Sequence, residues 1–320
     1  ANTKTALTIH NAAFQGSFEL HEIPMMQPYH QALHFDQHPH INMMKVGIAH
    51  ADKITAVSPT YAQEILTDLG GHGLHYVLQN RSSDLKGILN GCDYSQWDPT
   101  TDPFIPAHFD INDLSGKAKC KAALQAKAGF TDSPDTPLIG MVCRLTAQKG
   151  FDYIVPILRD LMAHNLGLVI VGTGDPLVCQ QLADVSRMHP TKFKFIHGFE
   201  PELAHLVEAG SDFFLMPSEF EPCGLNQMYS LAYATLPIVR NVGGLSDTVV
   251  GIDQNPQEAT GFVFDSPSPE ALLICIRRAL LLYREQPDLF VTMQKRAMET
   301  KFTWSDAAIQ FEALFQRALH

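Results

Sequence analysis

From residue 137 to residue 264 the chain alternates short, largely apolar runs with stretches whose apolar positions recur every three or four residues. The runs predict buried strands at 137–143, 166–171, 193–197, 212–216, 236–239 and 261–264. The intervening stretches predict helices at 151–162, 176–188, 201–209 and 224–233. Apolar strands alternating with helices of about 10–15 residues indicate βαβ units and a parallel sheet. Residues from about 115 to 285 therefore read as a complete doubly wound, Rossmann-like domain.

The earlier part of the chain is sparser. A β-rich run at 5–9 ends in His10-Asn11, and 42–52 is helix-like, with Met43, Met44, Val46 and Ile48 apolar. A strand is predicted at 54–57, followed by a helix that Ser58 caps and Pro59 starts. Another strand, 86–89, is broken by Asn90-Gly91. Two or three strands are too few for a whole α/β domain, so this region reads as part of one. The Pro/Asp-rich stretch 98–106 reads as a linker. Near the end, Ala307, Ala308, Phe311, Leu314, Phe315 and Ala318 follow helical spacing. The expected division is 1–92, a partial N-terminal domain; 93–300, the complete domain; and 301–320, a terminal helix.

Composition narrows the class. The chain has 320 residues, 45% hydrophobic and 18% charged, which suits a globular α/β protein with a sizeable core. Its net charge of −11 argues against non-specific binding to nucleic acid or anionic membrane. No apolar run approaches the roughly 20 residues that cross a bilayer, and no signal peptide is visible. The six cysteines form no C-x-x-C pair, so neither a zinc site nor a redox motif is indicated, and a reducing cytosol is expected. His30, His34, His38 and His40 have a spacing that would suit metal ligands on a helix, but Pro39 and polar neighbours favour a loop.

In a doubly wound sheet, ligands bind beyond the carboxyl ends of the strands. Arg144 follows the first strand of the complete domain, with Lys149 five positions later; Gly172-Thr173-Gly174-Asp175 follows the second. Glu221-Pro222-Cys223-Gly224-Leu225 comes after the strand 212–216, and Arg240, then Gly243-Gly244, after 236–239. Taken singly, these residues are ordinary: surface charges, glycine turns, a helix cap. Brought to one sheet edge, they suit a nucleotide-type ligand. Two cations can neutralise a diphosphate, glycines admit close approach of backbone N–H groups, and Gly243-Gly244 before a helix could offer donors to phosphate. Glu221 could hold sugar hydroxyls. Cys223, near a helix start, reads as pocket packing, with a reactive thiol as the second reading.

At these residues the chain resembles the bacterial and plastid glycogen (starch) synthases, retaining glucosyltransferases of the GT-B fold. The matching segments are Thr8-Ile9-His10-Asn11, Phe14-Gln15-Gly16, Ile54-Thr55-Ala56-Val57-Ser58-Pro59-Thr60-Tyr61 and Gly87-Ile88-Leu89-Asn90-Gly91-Cys92-Asp93. They continue with Arg144-Leu145-Thr146-Ala147-Gln148-Lys149-Gly150, Glu221-Pro222-Cys223-Gly224-Leu225-Asn226-Gln227, and Leu236-Pro237-Ile238-Val239-Arg240 running to Gly243-Gly244-Leu245. The resemblance implies transfer of glucose from ADP-glucose to the non-reducing end of an α-1,4-glucan in the bacterial cytoplasm, with no cofactor and no metal for the chemical step. It implies that Arg144 and Lys149 grip the donor phosphates, Glu221 holds the donor glucose, and Gly224 and Leu225 lie against the donor. His10 and Asn11 would line the anomeric side, and Asn90 the cleft near the sugar. Gly172, Gly174, Cys223, Gly243, Gly244 and Tyr229 complete the candidate donor site. Tyr229 stands eight positions after Glu221, where the wider GT-B group often has a second glutamate. ADP rather than UDP follows from the branch resembled, not from any single residue. Retention by double displacement or by a front-face route stays open, as does oligomeric state.

The family's Lys-x-Gly-Gly-Leu loop has no match here, and the chain opens on Ala1. The chain is therefore expected to begin inside the N-terminal domain, with a partial sheet and exposed apolar faces. Two other functions compete with transfer: a non-catalytic fragment that binds sugar nucleotide, and a PLP-dependent glucan phosphorylase. The phosphorylase needs a cofactor lysine in its own motif context, and none is found.

Overall fold

The computed structural model describes residues 3–25 and 40–319. The chain forms two compact units, Ala1–Asn90 with Trp304–His320, and Gly91–Thr303.

In the first unit, β1 (Ala6–Ile9), β4 (Lys53–Ala56) and β5 (Leu85–Gly87) form a parallel sheet in the order β1-β4-β5. A separate antiparallel pair, β2 (Ser17–Glu19) and β3 (His40–Asn42), was not foreseen. Helix α1 (Met43–His50) is capped by Asn42, whose Oδ1 accepts the Lys45 N–H at 2.9 Å. Helix α2 (Pro59–Glu64) starts as expected, with Ser58 Oγ accepting the Tyr61 N–H at 3.1 Å. A short α3 (His75–Gln79) and, from the chain's end, α12 (Trp304–Leu319) complete the unit. Phe14, Leu69, Ile309 and Phe315 are exposed.

The second unit opens with α4 (Ser115–Ala128). It then runs β6 (Leu138–Leu145), α5 (Phe151–Met162), β7 (Gly167–Gly174), α6 (Pro176–Met188), β8 (Phe193–His197), α7 (Pro201–Gly210), β9 (Phe213–Met216) and α8 (Asn226–Ala232). It closes with β10 (Leu236–Arg240), α9 (Gly243–Thr248), β11 (Phe262–Phe264), α10 (Pro269–Glu285) and α11 (Pro287–Glu299). The six strands are all parallel, in the order β11-β10-β9-β6-β7-β8. Counted from β6 this is 3-2-1-4-5-6, the doubly wound order, and the order reverses between β6 and β9. Successive strand residues point to opposite faces. Ile139, Met141, Leu168, Ile170, Phe213 and Leu215 pack with α5, α10 and α11, while Leu138, Val142, Val169, Val171, Phe214 and Met216 pack with α4 and α7. Burial on both faces is why the central strands β6, β7 and β9 read as apolar runs.

The stretch 98–106 is not a linker. Asp102 is 1% exposed and accepts hydrogen bonds from Tyr233 Oη at 2.5 Å and His205 Nδ1 at 2.8 Å. Prolines and aspartates there make turns that belong to the second unit, and a buried carboxylate with two side-chain donors leaves no trace in hydropathy. Helix α8 also begins two residues later than its apolar pattern suggests, because Gly224 adopts φ +70° and Leu225 is the cap.

Candidate donor-binding site

The reversal between β6 and β9 opens a cavity of about 380 Å³ in the second unit. Its walls include Cys143 and Arg144 from β6, Gly172 and Thr173 from β7, Met216 at the end of β9, Ser218 after it, and Lys149 and Glu221. Gly224, Leu225, Asn226 and Tyr229 line it from the start of α8.

Two loops hold the charged residues. One runs from Thr146 through the 3-10 turn Ala147–Lys149 to Gly150; the other runs from Pro217 to Glu221. They are joined by the Glu219 N–H donating to the Gln148 carbonyl at 2.8 Å and Gln148 Nε2 donating to the Phe220 carbonyl at 3.2 Å. Gly150 allows this contact: its φ is +78°, and a Cβ there would stand 2.0 Å from the Pro217 oxygen. The result is that Lys149 Nζ lies 2.5 Å from Glu221 Oε2. Ser218 Oγ donates to the same oxygen at 2.9 Å. Glu221 is 6% exposed, so its carboxylate is fixed by an ammonium and a hydroxyl at the pocket wall.

Arg240 braces this loop from below. Its Nε donates to the Ser218 carbonyl at 2.9 Å and its Nη2 to the Glu219 carbonyl. Gly244 does likewise: its N–H donates to the Glu221 carbonyl at 3.0 Å. That donor is committed within the protein, and Gly243 and Gly244 are not among the residues lining the cavity. Gly174, exposed at the end of β7, and the buried Cys223 are not among the lining residues either. The sheet edge thus brings together Arg144, Lys149, Glu221, Gly172, Gly224, Leu225 and Tyr229. His10, Asn11 and Asn90 belong to the first unit. His10 is exposed at the end of β1. Its loop is held by Tyr61 Oη, which accepts the Ala12 N–H at 2.8 Å.

Several lining residues were missed. Phe199, 66% exposed, follows the edge strand β8, whose trailing residues were not considered. Trp97 lines the cavity from just before the stretch read as a linker, stacked at 3.8 Å on His205 and 4.0 Å on Tyr229. Asn226 donates to the Val142 carbonyl at 2.8 Å, tying α8 to β6. Burial pushes the Cys143 thiol up to about 12 and the Tyr229 hydroxyl up to about 12, so both enter the pocket as neutral groups.

A larger cavity, about 550 Å³, lies among α4, α10 and α11. Lys121, on its wall, is already engaged by Asp212 at 2.7 Å, the Pro134 carbonyl at 2.8 Å and Tyr283 Oη at 2.9 Å. Of the four spaced histidines, His30, His34 and His38 fall outside the described residues and His40 is in β3. Among the described residues, no group of three or more His, Cys, Asp or Glu side chains is arranged to hold a metal.

The chain matches the family model "Starch synthase catalytic domain" over residues 1–80 and "Glycosyl transferases group 1" over residues 125–295. It is 50% identical to a glycogen synthase of Aeromonas hydrophila over 99% of this chain and 66% of that one. It is 51% identical to a glycogen synthase of Photobacterium profundum over 97% of this chain and 62% of that one. The chain thus spans just under two thirds of the length of these relatives. Among solved structures, the catalytic domain of starch synthase IV from Arabidopsis thaliana, bound to ADP and acarbose, superposes with a TM-score of 0.93. That match has 31% identity and covers 99% of this chain and 67% of that one. With a doubly wound sheet of matching architecture and matches along nearly its whole length, the chain belongs to the glycogen and starch synthase family of GT-B glycosyltransferases.

Proposed function

We propose that this chain transfers glucose from ADP-glucose to the non-reducing end of an α-1,4-glucan, with retention of configuration. The observation that carries the reading is the Lys149–Glu221 contact of 2.5 Å beside Arg144, at the reversal point of the sheet. The relatives named glycogen synthase and the neighbour bound to ADP and acarbose support it.

The roles follow from chemistry. Breaking the glucose–phosphate bond leaves charge on the departing diphosphate. Arg144 and Lys149 meet that charge with no metal, and such preorganised donors are worth most in a water-poor site. Glu221 accepts hydrogen bonds from glucose hydroxyls while Lys149 keeps it oriented. Gly224 and Leu225 lie against the sugar, and Phe199 gives an apolar face to the base. His10, Asn11 and Asn90 are assigned to the sugar and acceptor side through the family resemblance. A bacterial cytoplasmic setting is supported by the bacterial relatives and by six cysteines that are all free thiols. No described helix is long and apolar enough to cross a membrane.

The test is transfer of labelled glucose from ADP-glucose to glycogen, with Glu221→Ala as control. Transfer by the parent chain that the substitution abolishes supports the reading. A folded chain that binds ADP but transfers nothing overturns it.

A further inference from the structure

One carboxyl group has no part in the transfer reading. Glu208, on α7, is 1% exposed and is among the residues lining the pocket. Its Oε2 is 2.6 Å from Ser230 Oγ, and the same Oγ is 2.8 Å from the Asn226 carbonyl oxygen. Both separations are ordinary O–H···O lengths. A serine hydroxyl has one proton, so it cannot donate to both oxygens. Both contacts become hydrogen bonds only when Glu208 carries a proton: the acid donates to Ser230, and Ser230 donates to Asn226.

The surroundings agree. The groups facing Glu208 are Lys117 of α4, Tyr229 of α8, Tyr233 after it, and Cys92. Lys117 is turned away, its Nζ donating to the Ala209 carbonyl, the Tyr233 carbonyl and Thr235 Oγ1. Among the described residues no cation stands within ion-pairing distance of Glu208. Burial pushes its carboxyl well above the ordinary range, and the opposing pulls of Ser230 and Lys117 do not offset this.

We propose that Glu208 is a positioning residue held as the neutral acid: its proton locks Ser230 onto Asn226 and so fixes the first turn of α8, which carries Asn226 and Tyr229 into the pocket. The proposal rests on the reading of this pocket as the nucleotide site. When the proton leaves to solvent, the serine hydroxyl turns to the carboxylate, because a charged acceptor outcompetes a carbonyl. Asn226 loses that bond, and α8 starts less rigidly.

Two variants of the full chain separate the cases. In Glu208→Gln the amide N–H donates to Ser230 as the acid does; in Glu208→Leu the donor is gone. Infrared difference spectra of wild type against Glu208→Gln, at about pH 7, should contain the carbonyl band of one protonated carboxyl. Its absence overturns the proposal, whatever the transfer activity. With ADP as the probe, calorimetry should find Glu208→Leu weaker than Glu208→Gln by roughly three- to tenfold, the worth of one hydrogen bond. Wild-type affinity should fall at alkaline pH while that of Glu208→Gln holds. Equal affinity in the two variants, or an equal alkaline fall in wild type and Glu208→Gln, overturns it. A chain that binds ADP with this pattern yet transfers no glucose sinks the transfer reading and leaves this one intact.

Discussion

Lys149 Nζ stands 2.5 Å from Glu221 Oε2, and both belong to loops that the sheet's reversal point pulls together from 72 positions apart in sequence. The pair acts as a unit. Lys149→Ala should lower the transfer rate by on the order of 10²–10³, the usual cost of one charge-stabilising contact. Glu221→Ala should cost at least as much. Residues that share one contact are not additive, so the double variant should lose far less than the product of the single losses. Steady-state rates of the three variants, with folding checked by circular dichroism, decide this; independent effects would refute the coupling.

Gly244 supports that pair from behind. A Cβ there would meet the Cys223 oxygen at 2.0 Å, a clash with backbone that no rotamer relieves. Gly244→Ala should therefore displace α9 from the loop whose Glu221 carbonyl it holds. The expected loss is about 1–3 kcal/mol of stability, as for other overpacked sites, with weaker ADP binding. A thermal melt unchanged from wild type would show that the loop yields freely.

How far the sequence reached depends on what each element hides. Strands β6, β7, β9, β10 and β11 were legible because their central residues are apolar and buried on both faces, and β8, at the sheet edge, keeps Phe193, Phe195 and Ile196 around Lys194. That Arg144, Lys149 and Glu221 line one cavity was legible because all three follow strands that end on the same edge of the sheet. The β2–β3 pair was not, since three-residue strands carry too few positions for a period to appear. Asp102 looked like linker because its partners, His205 and Tyr233, are more than 100 positions away. Glu208 gave no signal, since a lone glutamate in an amphipathic helix reads as surface. Phe199 could have been found by applying the strand-end argument to β8 as well.

Lys117 joins α4 to the ends of α7 and α8. Burial pulls its ammonium down to about 8, against the nearby Asp212 carboxylate, which raises it. Lys117→Met would leave the acceptors at Ala209, Tyr233 and Thr235 without their buried donor. The expected cost is about 1–3 kcal/mol, or a fall of roughly 2–12 °C in the melting temperature of a domain this size. The wild-type lysine also carries a pH signature. Above about pH 8 the folded lysine releases its proton before the unfolded one does, so this residue's contribution makes stability rise with pH there. Melts of Lys117→Met should lack that rise.

The opposite sign applies at Asp102. Burial alone would raise its carboxyl, but donation from His205, Tyr233 and the Phe104 N–H more than offsets this and holds it below the ordinary aspartate range. A depressed folded value means that the unfolded chain binds the proton more tightly. The stabilisation is therefore present above the unfolded aspartate value and lost as pH falls through the folded one. Asp102→Asn removes that titration and also the acceptor shared by His205 and Tyr233. Trp97 stacks on His205, so its ring should shift with them. The expected outcome has two parts: a lower melting temperature at neutral pH, and a difference from wild type that narrows as the solution is acidified below about pH 4. Trp97 emission, followed with Trp304→Phe as the background, reports whether the stack moves. A difference that stays constant down to acid pH would mean that Asp102 stabilises the fold by packing alone and not as a charged acceptor.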